Sequence, residues 1–237
     1  MVDSSMPTAD EIQTIFDRIA PAYDRLNDQM SFGLHHVWKL MAVKWCAPQP
    51  GETALDLCCG TGDLALLLRD RMAPTGRVIG VDFSAELLNI ARERAPNSPQ
   101  LTWQQANVLN LPFVDNFCDR ATMGYGLRNV VDIPACLAEL WRVLKQGGTA
   151  VILDFHRPQN VIAKSFQDWY LANQVVPAAQ KLALTEEYAY ISPSLERFPQ
   201  GPEQVKLAQT AGFEAVHYPI FGGLMGVLVL TKPQSLK

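Results

Sequence analysis

The chain has 237 residues, 48% of them apolar and 19% charged, with a formal charge of −4. That is enough chain for one substantial core, and the composition excludes general disorder. Without a basic excess, a nucleic-acid backbone is excluded as the expected partner.

The five cysteines include the adjacent pair Cys58-Cys59 and show no metal-ligand spacing. Neither a disulfide framework nor a bound metal is therefore expected, and buried thiols in a reducing cytoplasm are. Residues 1–11 lack the basic start and apolar stretch of a signal peptide, and the apolar run 221–230 is too short and glycine-broken to cross a bilayer. The expected location is cytoplasmic, with any membrane contact peripheral.

In chain order, Ile12, Ile15, Phe16 and Ile19 make a helical apolar face that stops near Pro21. Tyr23, Phe32, His35, His36 and Trp38 then crowd a polar stretch. Residues 1–46 read as a helical unit set before a domain over 47–237, either a packed cap or a lid that completes a pocket. From residue 53 strands and helices alternate: strand 53–58, helix 62–71, strand 77–82, and helix 85–94 capped by Ser84. Strands at 101–106 and 117–123 follow. A helix over 133–144 is expected to stop at Gly147-Gly148, ahead of a strand at 149–155. Residues 156–200 break the alternation as an inserted helical segment carrying Phe166, Trp169, Tyr170, Leu182, Tyr188 and other aromatic and apolar residues. An aromatic stripe at this spacing reads as packing more readily than as pocket. A helix at 202–212 and strands at 213–219 and 223–232 close the chain. Such alternation predicts an α/β fold with five parallel strands and a terminal antiparallel pair, the seven-stranded Rossmann-like plan of class I methyltransferases.

The stretch Leu55-Asp-Leu-Cys-Cys-Gly-Thr-Gly-Asp63 organises this pattern, because it turns a buried strand into a helix through Gly60 and Gly62. Such a turn presents free N–H groups at the carboxyl edge of the sheet, where open α/β folds bind ligands. Val78-Ile-Gly-Val-Asp82 follows about twenty residues on, at the place where nucleotide folds set an acid for ribose hydroxyls. Asp56 and Asp63 beside the turn suit a sulfonium and an amino group better than a pyrophosphate. S-adenosyl-L-methionine is thereby favoured over a nicotinamide dinucleotide.

With those residues in view, the chain resembles the ubiquinone/menaquinone C-methyltransferase family almost end to end. Phe16-Asp-Arg-Ile-Ala-x-x-Tyr-Asp24, Asn27-Asp-Gln-Met-Ser-Phe-Gly33 and Trp38-Lys39 match its N-terminal signature. Gly60-Thr-Gly-Asp63, Leu111-Pro-Phe113, Gly126-Leu-Arg-Asn-Val130, Arg142-Val-Leu-Lys-x-Gly-Gly148 and Ser194-Leu-x-Arg-Phe-Pro199 follow in register. Cys59 stands where the family has glycine, Val108 where it has alanine, and Gly124-Tyr125 where it has a small hydroxyl residue before Phe. Asp154-Phe-His156 likewise replaces the usual Glu-Phe-Ser. These departures resemble the branch that methylates a phytyl-naphthoquinone.

The resemblance implies methyl transfer from S-adenosyl-L-methionine to a ring carbon of a prenylated or phytylated naphthoquinol. The long tail of such a substrate needs an apolar groove, with the inserted segment over 156–200 as its natural source and substrate cap. Gly60, Thr61 and Gly62 would hold the methionine portion with Asp56, and Asp82 the ribose diol. Phe83 would cover one adenine face, Asn107 and Val108 the adenine edge, and Gly124 would sit beside the cofactor without the usual hydroxyl. Arg128 is the candidate to stabilise a quinolate or to pin its loop. Tyr23 and Asp24 would bind the methionine end or close the lid, and His35 or His36 would relay a proton. A methyltransferase acting on another small lipid or a phenolic oxygen, a nicotinamide oxidoreductase and a non-catalytic lipid carrier are the competing readings.

Overall fold

The structure is a computed structural model that describes residues 7–31, 33–180, 184 and 191–234. Leu182, the 185–190 stretch with Tyr188, and Phe32 lie outside the described residues.

Three helices precede the sheet. α1 (Ala9–Ile19) starts at Thr8, whose hydroxyl and the Glu11 carboxylate make a reciprocal capping box. A 3₁₀ turn over Ala20–Ala22 takes up Pro21 and passes the chain to α2 (Tyr23–Ser31). α3 (Leu34–Cys46) buries Ala42, Val43 and Cys46 against the sheet. β1 (Thr53–Leu57), α4 (Asp63–Met72), β2 (Arg77–Asp82), α5 (Ala85–Arg94), β3 (Leu101–Gln105) and β4 (Cys118–Gly124) then alternate. Ser84 caps α5 as expected, its hydroxyl accepting from the Leu87 N–H.

α6 (Ile133–Val143) passes straight into β5 (Leu144–Phe155), a correction to the expected glycine stop. The register between β4 and β5 slips between Cys118↔Leu144 and Arg120↔Thr149, so Gly147-Gly148 sit in an irregularity of the strand. The insertion holds α7 (Val161–Tyr170), a π turn over Leu171–Val175, α8 (Val176–Gln180) and α9 (Ile191–Arg197). α10 (Gly201–Thr210), β6 (Glu214–Ile220) and β7 (Met225–Thr231) complete the chain.

The sheet order is β3-β2-β1-β4-β5-β7-β6, with β7 antiparallel to both neighbours and the remaining pairs parallel. Leu57 pairs with both Val81 and Met123, so β1, β2 and β4 end level. The strand order reverses between β1 and β4, and the crevice outside that point is where such sheets bind ligands.

Candidate active site

The glycine turn is fixed by two buried carboxylates. The Asp56 carboxylate accepts from Ala65 N at 2.9 Å and from Thr122 Oγ1 at 2.8 Å. That of Asp82 accepts from Gly60 N at 2.8 Å and Ser84 N at 3.0 Å, stapling the turn to the end of β2. Burial outweighs these bonds and pushes Asp56 up to about 7 and Asp82 up to about 6. Each carboxylate oxygen keeps a second lone pair, so holding the turn does not preclude accepting a ligand hydroxyl. Gly62 caps α4 at φ +90°, and a Cβ there would lie 2.5 Å from the Trp103 ring. Its glycine is required by packing, and Gly62 lines neither of the cavities described next.

A first cavity, of about 60 Å³, gathers Gly60, Asp82, Phe83, Asn107, Val108 and Gly124 at the ends of β1, β2 and β4 and beyond β3. Phe16 and Tyr23 cover it from the N-terminal helices. A small recess opens off it at Tyr23, Cys58, Gly124 and Tyr125, and there lie Asp56, Thr61, Asp63 and Lys39. A second and larger cavity, of about 250 Å³, runs between the N-terminal helices and the insertion. Ile15, Trp38, Phe155, Phe166, Tyr170 and Arg128 are among its walls. Phe166 and Tyr170 therefore belong to the pocket, where the sequence pattern had suggested packing. The two cavities meet at Phe16, Tyr23, Tyr125 and Asn129.

Polar contacts tie the N-terminal helices over this crevice. Thr61 Oγ1 donates to Asp24 at 2.6 Å, and Asp63 takes Lys39 Nζ and an Arg94 nitrogen, each at 2.6 Å. Burial works to raise the Asp63 carboxyl, but Lys39 and Arg94 outweigh it and hold the group at about 2. Asp63, expected with Asp56 to face a sulfonium and an amino group, is thus already paired with two cations while still lining the recess. Asp24 ties α2 to the glycine turn and lines neither cavity.

Arg128 pins its loop and also borders the second cavity. One guanidinium nitrogen donates to Asp154 at 2.8 Å and to Tyr125 O at 2.6 Å, while Nε is buried without a hydrogen-bond partner. His35 is not brought to the reaction space. Its Nδ1 lies 2.6 Å from Ser31 Oγ, and Ser31, not His35, lines the second cavity. Burial, joined by the Lys39 charge, lowers His35 to about 4, so it is neutral at physiological pH. His36 is exposed beside Asp28. Asp28, His35 and His36 bring their ligand atoms within 4.8 Å and, among the described residues, could hold a metal ion.

Lys39, Tyr125 and Asn129 entered the sequence reading only inside family signatures, with no role of their own. Tyr125 stands at φ +63° immediately after β4, a backbone state that no residue pattern announced.

Solved structures repeat this architecture. A SAM-dependent methyltransferase from Aquifex aeolicus matches with a TM-score of 0.60 at 18% identity, over 81% of this chain and 88% of that one. Phosphoethanolamine N-methyltransferase 2 of Haemonchus contortus, in complex with S-adenosyl-L-methionine, matches with a TM-score of 0.64 at 16% identity, over 83% and 52%. The fold is that of class I methyltransferases. A family model described as the ubiE/COQ5 methyltransferase family matches residues 5–231, and the chain belongs to that family. A Trichormus variabilis protein named 2-phytyl-1,4-naphtoquinone methyltransferase is 60% identical over 94% of this chain and 99% of its own. A Synechocystis protein of the same name is 56% identical over 96% and 98%. The chloroplastic Arabidopsis thaliana 2-phytyl-1,4-beta-naphthoquinone methyltransferase is 44% identical over 93% and 87%.

Proposed function

We propose that the chain transfers a methyl group from S-adenosyl-L-methionine to a ring carbon of a phytylated naphthoquinol; the relatives' names give a 2-phytyl-1,4-naphthoquinone as what they methylate. The observation that carries this reading is the pair of cavities meeting at Tyr23, Tyr125 and Asn129, one beside the glycine turn and the other long and apolar. The first fits the cofactor: Asp82 keeps lone pairs for the ribose diol, Phe83 offers a ring to adenine, and Asn107 and Val108 border it. Bound there, the cofactor supplies an electrophilic methyl group on a sulfonium.

The second cavity would hold the ring at the junction and the tail between α1 and α7. A ring carbon becomes nucleophilic when the neighbouring ring hydroxyl loses its proton, so the substrate is the reduced quinol. None of the residues lining the two cavities is a histidine. We assign the hydroxyl proton to solvent before transfer. After transfer the ring C–H proton also passes to solvent while the ring oxygen takes one back, so one proton is released per methyl group. The quinolate oxygen is placed beside Arg128 in the cavity wall. Tyr23 packs against Gly60 and separates the two compartments.

The tail also implies a source. Val161, Ile162, Phe166 and Trp169 of α7 are all at least half exposed, and Phe166 belongs to the cavity wall. No helix among the described residues is long and apolar enough to cross a membrane. We assign α7 to peripheral contact with the bilayer that dissolves the substrate.

The test is methyl transfer from radiolabelled cofactor to 2-phytyl-1,4-naphthoquinone with and without dithionite, alongside a sterol and a simple phenol. Label in the reduced naphthoquinone alone is expected. Equal labelling of the sterol, or none of the quinol, would overturn the assignment.

A further inference from the structure

We infer that Lys39 and the Tyr125 hydroxyl form the seat for the carboxylate of the cofactor's methionine end. The inference deepens the cofactor reading above and rests on it. An amino-acid end is a zwitterion, so its site needs acceptors for the ammonium and donors for the carboxylate. The recess beside the glycine turn supplies acceptors in Asp56 and Asp63, and as donors Lys39 and the hydroxyls of Tyr23, Thr61 and Tyr125. The hydroxyl of Thr61 is given to Asp24, and that of Tyr23 hydrogen-bonds Asn27.

Lys39 is one of the remaining donors. It is buried, it reaches the recess from α3, and its ammonium donates to Asp63. An ammonium has three donors, so two N–H groups remain for another acceptor. The Tyr125 hydroxyl is the second: it is buried and has no hydrogen-bond partner. A buried hydroxyl left unpaired is costly, and an incoming acceptor removes that cost.

The Tyr125 ring is held in place from several sides. Its backbone N–H donates to Leu153 O at 2.7 Å, its φ is +63°, and its ring stacks on Phe155 with centroids 4.9 Å apart. Lys39 Nζ lies 5.6 Å from the centre of that ring, so the two donors border the same small space. The other nearby cation, Arg94, is already spent on Asp63, Thr61 and Asp24 and does not line the recess.

The experiment is titration calorimetry on the full chain with two ligands. One is S-adenosylhomocysteine; the other is 5′-S-(3-aminopropyl)-5′-thioadenosine, the same molecule without its carboxylate. The unaltered protein should bind the first about ten- to a hundredfold more tightly, the worth of charge-assisted hydrogen bonds. Tyr125→Phe should weaken S-adenosylhomocysteine about tenfold and leave the decarboxylated ligand unchanged. Lys39→Met should narrow the preference in the same way. Near-equal binding of both ligands by the unaltered protein would overturn the seat while leaving the cofactor reading intact. So would variants that weaken both ligands in proportion. Binding of neither ligand would overturn both readings. The ratio of the two affinities on the unaltered protein tests the seat even if a variant fails to fold.

Discussion

Replacing Asp82 by alanine separates the two tasks its carboxylate performs. In the folded protein it accepts from Gly60 N and Ser84 N, both beside the turn, and it borders the first cavity. Alanine leaves two amides without acceptors, at about 1–3 kcal/mol each. Against that stands the relief of removing a carboxylate whose pKa burial has raised from 3.8 to about 6, on the order of 3 kcal/mol at neutral pH. The net change should then lie between a gain of about 1 and a loss of about 3 kcal/mol, so the protein folds with a melting temperature near or below the original. Losing two charge-assisted bonds to ribose should cost about 2–4 kcal/mol of affinity, at least thirtyfold in Kd. The pH dependence sharpens the test. With a raised folded pKa, the carboxyl's contribution to stability is complete below about 3.8 and is lost as pH rises through about 6. Ribose binding by the ionised form runs the other way, so affinity should rise about tenfold between pH 5 and pH 7. Asp82→Asn should flatten that rise. Calorimetry with S-adenosylhomocysteine at both pH values, beside thermal melts, measures each quantity. An Asp82→Ala protein that binds within threefold of the original would refute the ribose assignment.

Arg128→Lys keeps a charge but loses the fork that grips Asp154 and Tyr125 O; we expect turnover to fall tenfold or more, with cofactor affinity within a factor of about three. Should melting temperature and cofactor affinity fall together instead, Arg128 is only a clamp. Val161→Ser with Ile162→Ser, at two exposed positions of α7 that line neither cavity, should lower co-sedimentation with quinone-bearing vesicles while leaving turnover of a short-tailed quinol intact. Unchanged sedimentation would remove α7 from the membrane. Phe155→Ala opens space beneath the Tyr125 ring in the wall of the second cavity, and quinol KM should rise more than cofactor Kd. Equal changes in both constants would place Phe155 in general packing.

What could be read without coordinates was whatever a short repeat enforces. Leu55, Leu57, Val78 and Val81 had to be buried strand residues, and Gly60 and Gly62 had to turn. That pattern placed the glycine turn and Asp82 at one sheet edge, and the structure brings Gly60, Asp82, Phe83, Asn107, Val108 and Gly124 together there. The Gly147-Gly148 pair misled because glycine suits a helix stop and a strand irregularity equally, and the pairing of β5 with β4 and β7 decided the case.

The pairing of Asp63 was out of reach for a reason of the same kind. A carboxylate's sign can be read along the chain, but its partners cannot. Lys39 is 24 positions away and Arg94 is 31, and both converge on it only once α3 and α5 are packed. The histidines show the converse. His35 has the residue type for proton transfer, yet packing turns its ring toward Ser31 and lowers its basicity to about 4. Tyr125, which carried no motif of its own, borders both cavities and the recess because its backbone leaves β4 in a left-handed turn. Residue type names which chemistry is available, whereas the backbone decides which groups share a space. Here that sharing sets Tyr125 at the junction of the two cavities.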